Sequence, residues 1–349
     1  MLRLPDGDSA EAALLRPLPS ARRRPPRRRQ APACASRPTP NPSCCAGPRA
    51  DAVFNPEPHP RRVKSGASRR GLAARSCLVC SRPSTRSYCD RCSRLLGIRH
   101  DSLKRRAALR EAYDRDLDAF RCHWSRVPLD ERDPRDPFHI CFDHFYPVRS
   151  SRLVASSELL NSMKFELGPE EFPPVVRELA AHRAGAPFRR DVVKFEWWGR
   201  RAPAWPRPRG GLSLADGCAV CGEARLARSR YCPRCCGIIG ARHRDYGVRA
   251  RALGEAWSPG ERRFLCHFTG VWLEEEDNGS PWLITFGRRV PGDDGTMVAA
   301  AWWVNRMKEG LSEEEFWSVV GELDECWREG REFERDVCEF RYWRRTRYG

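Results

Sequence analysis

The chain has 349 residues, room for two modest domains, and carries 63 Lys and Arg against 46 Asp and Glu, a formal net charge of +17. No stretch approaches the roughly eighteen apolar residues of a membrane helix, and no apolar core opens the chain as a secretory leader would, so neither a membrane span nor a membrane partner is expected. Seventeen cysteines, eight of them in four C-x-x-C pairs, suit metal ligation better than disulfides, and the expected setting is an intracellular reducing compartment, cytoplasm or nucleus.

Residues 1–72 are rich in Pro, Arg, Ala and Ser, with the core ARRRPPRRRQ at Ala21 to Gln30. Prolines deny a continuous helix and few large apolar side chains are present, so this tail is expected to be disordered. Its first 70 residues hold 15 basic and 5 acidic side chains, a net +10, which leaves +7 for the other 279. A nucleic-acid or nuclear-localisation tail, an organellar transit peptide and a segment upstream of the true start all fit this composition. The overall basicity points to a polyanionic partner, nucleic acid, with DNA favoured over RNA.

From Cys77 onward the chain repeats itself. Cys77-x-x-Cys80 and Tyr88-Cys89-x-x-Cys92 return as Cys218-x-x-Cys221 and Tyr231-Cys232-x-x-Cys235. Phe120-Arg-Cys122-His123 returns as Phe264-Leu-Cys266-His267, and Asn161-Ser-Met163-Lys164 as Asn305-Arg-Met307-Lys308. The offset grows only from 141 at Cys77/Cys218 to 144 at Asn161/Asn305, so this is one duplicated unit with few insertions. A Pro/Arg/Gly linker, residues 199–213, separates a first domain at 73–198 from a second at 214–349.

Within each copy the four cysteines form two knuckles, each donating two sulfurs from one tight turn, and together they suit a closed, structural Zn²⁺ site. Two such sites are expected, one per copy. Four thiolates leave no open position, so catalytic zinc is not indicated; His100 and His243, just past the knuckles, fit a structural hydrogen bond better than ligation. A helix is expected from Ser102 to Phe120, then strands around Phe120–Ser125 and Phe138–Phe142 joined by a Pro/Asp turn. An arginine- and serine-bearing loop follows, then a helix bearing Asn161, capped by Ser156 or Ser157. The last helix begins near Pro169 in the first copy, shortened or kinked by Pro173 and Pro174, and at Ser312 with a Glu315 capping box in the second. Phe195, Trp197 and Trp198, matched by Phe340, Tyr342 and Trp343, are expected to pack back as a closing apolar segment. Trp197, Trp198, Trp302 and Trp303 could also stack on bases, although core packing is the readier use for them.

The zinc knuckles, a strand ending in Asp143-His144 with Pro147 just after, and a helix bearing Asn161-Ser-Met-Lys164 together resemble the HNH, or ββα-metal (His-Me finger), endonucleases. The resemblance covers about a third of each copy. It implies an α+β fold of two tandem zinc-knuckle and ββα-type domains, with Mg²⁺ or Mn²⁺ held by Asp143 and Asn161, water activated by His144, and Lys164 supporting the site. The middle position of the family's pattern has no clear match, Ser156 or Ser157 being the nearest polar residue. In the second copy Gly287-Arg288 replaces Asp143-His144; neither residue ligates a cation or acts as a base at neutral pH, so that copy is expected to be inactive. The retained Asn305 and Lys308 point to a structural job for Asn161 and Lys164 as well. The function implied is a metal-dependent nucleic-acid endonuclease with one working copy. The alternative is a non-catalytic zinc module that binds nucleic acid or a protein partner.

Overall fold

A computed structural model describes residues 75–97, 102–148, 152–192, 194–196, 212–227, 229–240, 245–276 and 279–343. The basic tail, His100, His243, Trp197, Trp198 and almost all of the linker lie outside them. The described residues belong to one compact unit, Ser68–Gly349, that mixes short helices with small antiparallel sheets of two strands each, an α+β architecture. Among the described residues no helix is long and apolar enough to cross a membrane.

The first half opens on a knuckle, where β1 (Arg75–Ser76) pairs with β2 (Pro83–Ser84), and α1 (Asp90–Leu96) starts at the second cysteine pair with Cys89 as its cap residue. Next come α2 (Ser102–Ala112), the small hairpin of β3 (Tyr113–Asp114) and β4 (Ala119–Phe120), the hairpin of β5 (Ile140–His144) and β6 (Leu153–Ser157), then α3 (Glu158–Lys164) and α4 (Phe172–Arg183). The second half repeats this order in β7 (Leu212–Gly217), β8 (Ala224–Leu226), α5 (Pro233–Ile239), α6 (Tyr246–Glu255), β9 (Trp257–Ser258), β10 (Arg263–Phe264), β11 (Ile284–Arg288), β12 (Met297–Ala301), α7 (Trp302–Lys308) and α8 (Glu313–Glu329). The registers repeat too: Ile140 opposite Ser157 in the first half corresponds to Ile284 opposite Ala301 in the second.

The structure corrects three sequence expectations. The helix after the knuckles ends at Ala112, because Tyr113–Phe120 turns back on itself as the β3–β4 hairpin, with the Arg121 guanidinium bonded to Asp114 at 2.6 Å. The strand ending in Asp143-His144 pairs with Leu153–Ser157, downstream, and not with the stretch after Phe120. That stretch instead forms a tight turn, closed by Cys122 N–H to Val127 carbonyl at 2.9 Å. All five residues of β6 are buried; small Ala155, Ser156 and Ser157 let α2 lie close upon it, and a segment rich in Ser and Arg therefore becomes the inner strand.

The third correction concerns the closing aromatic segments, which cross to the opposite half instead of packing back. Phe188 and Phe195 of the first half stand edge-on to Trp282 of the second at 6.0 and 5.7 Å, while Phe333 and Phe340 of the second lie against Phe138 of the first at 5.8 and 5.5 Å. Phe138 and Trp282 occupy equivalent repeat positions, so the exchange is reciprocal. Between them α4 packs on α8 and α3 on α7, and the Trp327 indole N–H donates to the Trp124 carbonyl at 2.6 Å. The core is thus shared across the repeat, with Phe172, Phe316, Trp303 and Trp343 fully or almost fully buried.

Local signals explain the helix ends. Ser157 caps α3 by accepting from Leu160 N–H at 3.2 Å, and Ser312 with Glu315 forms the expected capping box on α8. Pro173 falls in the first turn of α4, where its missing N–H has no helical partner to lose, and α4 runs for 12 residues against 17 in α8.

Candidate metal centres and the Asp-His site

Cys77, Cys80, Cys89 and Cys92 converge with their sulfurs all within 4.8 Å of one another, and so do Cys218, Cys221, Cys232 and Cys235. Nearest sulfur pairs, Cys80 to Cys89 and Cys92, and Cys221 to Cys232 and Cys235, are 3.5 Å apart. A tetrahedron of sulfurs at roughly 2.3 Å from one ion has edges near this length. Each first knuckle is a turn closed by backbone bonds, Ser81 N–H to Cys77 carbonyl at 3.0 Å and Gly222 N–H to Cys218 carbonyl at 2.9 Å. Each second knuckle opens a helix, so its two sulfurs sit among free N–H groups; Cys235 N–H points at the Cys232 sulfur at 3.4 Å.

The crowding of four thiols splits their acidity. Backbone donors outweigh burial at Cys77 and lower it to about 6, and the hydrogen bond from Cys235 leads in lowering Cys232 to about 5, while burial pushes Cys80 and Cys92 up and takes Cys221 to about 12. Four thiolates cannot coexist at this spacing without a cation, and the donor set fits Zn²⁺. Both quartets are compatible with structural zinc. Cys236 stands outside the second quartet and is buried.

The Asp-His site is built by β5, β6 and α3. In β5, alternation sends Asp143 inward and His144 to the opposite, partly exposed face. Asp143 is 4 % exposed, and its carboxylate accepts from Trp124 Nε1 at 3.0 Å and from Lys164 Nζ at 3.3 Å. Lys164 is wholly buried, donates also to the His144 carbonyl at 2.9 Å, and lies 5.6 Å from the centre of the Trp124 ring. Burial pushes the Asp143 carboxyl above its ordinary range against the pull of Lys164 and Trp124, and burial lowers the Lys164 ammonium against the pull of Asp143. Asn161 stands in the middle of α3 and is partly buried. Asp143 and Lys164 are therefore in direct contact, while the His144 ring leaves from the other side of the strand. Ser156 lies within hydrogen-bond range of the Cys122 sulfur at 3.8 Å and donates to the Ser157 carbonyl at 3.2 Å; Ser157 serves as the helix cap.

The second half shows what the same frame does without Asp and His. Asn305 turns its side chain toward the strand, 3.5 Å from the Phe286 carbonyl, and fills the space in which a Cβ on Gly287 would stand. Lys308, 2 % exposed, donates to the Leu311 carbonyl. Arg288 reaches out to Asp294 and Asp245. Trp302 and Trp303 belong to α7, and Trp303 is buried against Phe188, Phe195 and Trp282.

Trp124, the Asp143 partner that the motif does not include, was nonetheless visible in the repeat. The copy that loses Asp143 to Gly287 also changes Trp124 to Phe268, exchanging a hydrogen-bond donor for a ring without one. Compared with known proteins, the chain matches no family model, no curated protein and no solved structure.

Proposed function

We propose that the chain is a zinc-stabilised, non-catalytic module that binds nucleic acid, and that the hairpin and helix of its first half serve architecture rather than hydrolysis. The Asp143 carboxylate carries this reading. It is buried, and its counter-charge is an ammonium of the chain itself, reinforced by the Trp124 indole. A divalent ion seated on Asp143 would strand Lys164 as an uncompensated charge in the interior, at a cost on the order of several kcal/mol. The lysine kept in the second half without any Asp-His pair supports a bracing role for this position. The tail and net charge of +17 support a polyanion, DNA before RNA, as the partner.

A second reading, hydrolysis of the HNH type, is favoured by one observation: β5, β6 and α3 follow in the order hairpin then helix, with Asp143, His144, Asn161 and Lys164 on adjoining elements. In it His144 activates water and Asp143 and Asn161 hold Mg²⁺ or Mn²⁺. The zinc-loaded full chain, incubated with either ion and with DNA or RNA, is expected to retard the nucleic acid in a gel without cutting it. Cleavage that disappears in His144→Ala would overturn the non-catalytic reading in favour of the second. Absence of retardation by either polymer would remove nucleic acid as the partner.

A further inference from the structure

We propose that the groove beside the turn Cys122–Val127 is a phosphate-binding site, with Arg126 and His123 as the groups that recognise the phosphate. The groove encloses about 770 Å³ between α2 and β6 of the first half and residues 330–332 of the second. Its counterpart in the second half, around His267 and Gly270, encloses only about 270 Å³.

The two grooves also differ in a few substitutions at equivalent positions. His267 is engaged by Glu313, Nε2 to Oε1 at 3.1 Å, whereas Pro169 stands at the position of Glu313 in the first half. The His123 ring consequently has no hydrogen-bond partner among the described residues. It is held edge-on by Trp124 at 4.9 Å and Phe145 at 5.6 Å, which fixes its plane at the groove wall. Leu265 becomes Arg121 and Gly270 becomes Arg126, so donors replace apolar atoms around the same turn.

Pairing around the groove leaves one cation over. Arg121 is held by Asp114 at 2.6 Å and by Glu332, Glu111 faces Arg152 at 3.5 Å, and Arg331 is taken by Glu322, Glu325 and Glu329. Arg126 is exposed, and its guanidinium meets no carboxylate among the described residues. Its backbone is in the left-handed region at φ 59°, which Gly270 adopts without strain at φ 66°. An arginine held at a turn where glycine is the easier choice is an expense that a ligand contact explains. A guanidinium fork engages two phosphate oxygens, and an imidazole N–H three residues earlier in the same turn supplies a third donor. Burial lowers the His123 pKa, so at neutral pH the ring donates through one nitrogen.

The phosphate belongs either to a small phosphate ester or to a nucleic-acid backbone, and the test separates them. The zinc-loaded full chain is titrated by calorimetry with inorganic pyrophosphate and, separately, with a short DNA duplex. Saturable binding of at least one probe is expected, with a shift of the His123 ring resonances at saturation. Arg126→Gly, which installs the residue of the second half, is expected to weaken that binding roughly tenfold or more, the worth of a charge-assisted hydrogen bond, while thermal unfolding stays the same or rises. Loss confined to pyrophosphate assigns a small ester; loss confined to DNA assigns the backbone. No saturable binding of either probe, or undiminished binding by Arg126→Gly, overturns the site. DNA retention that survives Arg126→Gly alongside lost pyrophosphate binding leaves the nucleic-acid reading standing independently of it.

Discussion

Phe340 stands edge-on to Phe138 with ring centroids 5.5 Å apart, although one closes the second repeat and the other belongs to the first. Phe195 and Trp282 make the mirror contact, so each half completes its core with a segment of its partner. Phe340→Ala is accordingly expected to cost about 3 kcal/mol and to lower amide protection in β5 and β6, far from the mutation in sequence. Hydrogen exchange read by mass spectrometry checks this. Loss of protection limited to residues 281–343 would show that the halves are energetically separate.

Breaking the Asp143–Lys164 pair from one side should be severe. Lys164→Met leaves a buried carboxylate with only the Trp124 indole, and a loss of about 3 to 5 kcal/mol is expected in denaturant unfolding. The double variant Asp143→Leu with Lys164→Met should recover most of it, since no charge is then left inside. If the double variant is as unstable as the single one, the pair is not the source of the loss.

A side chain installed at Gly287 in the second half meets Asn305. The Asn305 side-chain oxygen occupies the room a side chain at Gly287 needs and has only a 3.5 Å contact to the Phe286 carbonyl to give up, so Gly287→Ala is expected to destabilise by about 1 kcal/mol or less, and Asn305→Ala in the same chain to relieve it. A neutral Gly287→Ala would mean that Asn305 moves aside freely. Thermal melts of the three variants decide between these.

Zinc content gives a direct count. Two equivalents per chain are expected by elemental analysis, falling to one in Cys80→Ser and, separately, in Cys221→Ser. Chelation should unfold the module, because structural zinc contributes on the order of 10 kcal/mol or more. Metal retained in full by either variant would exclude its quartet as a site.

Lys308 supplies a pH dependence with a definite sign. Burial lowers its pKa from 10.5 to about 8, against the opposing pull of Glu313 and Glu315. Between those two pH values the unfolded chain holds a proton that the folded chain has released, so this group adds stability as pH rises from about 8 to 10.5 and loses it again as pH falls from 10.5 to about 8. The full change is roughly 3 kcal/mol. Denaturant midpoints at pH 7.5 and 9.5 should diverge between the parent chain and Lys308→Met, with the parent gaining relative to the variant. Parallel pH profiles would place the Lys308 pKa near its ordinary value.

Spacing alone made the zinc quartets legible, because two C-x-x-C turns bring four sulfurs together whatever surrounds them. Helix caps were legible for the same reason: Ser157, Ser312 and Glu315 act within a single turn of chain. The partner of β5 was not, since Leu153–Ser157 is a strand only because α2 covers it. Nor was the use of Asp143: the repeat couples it to Trp124 and the motif to Lys164, but only the fold shows both donating to its carboxylate in the interior.

By itself the sequence determined the duplication, the two cysteine quartets, the α+β content and the loss of Asp-His from the second copy, all of which depend on residue types at short spacing or on direct repetition. Tertiary structure alone decided that the closing aromatics cross between halves and that a buried ammonium answers the Asp143 carboxylate. Those outcomes are set by which apolar faces and charges remain uncovered after the local elements form, and that competition is settled only in three dimensions.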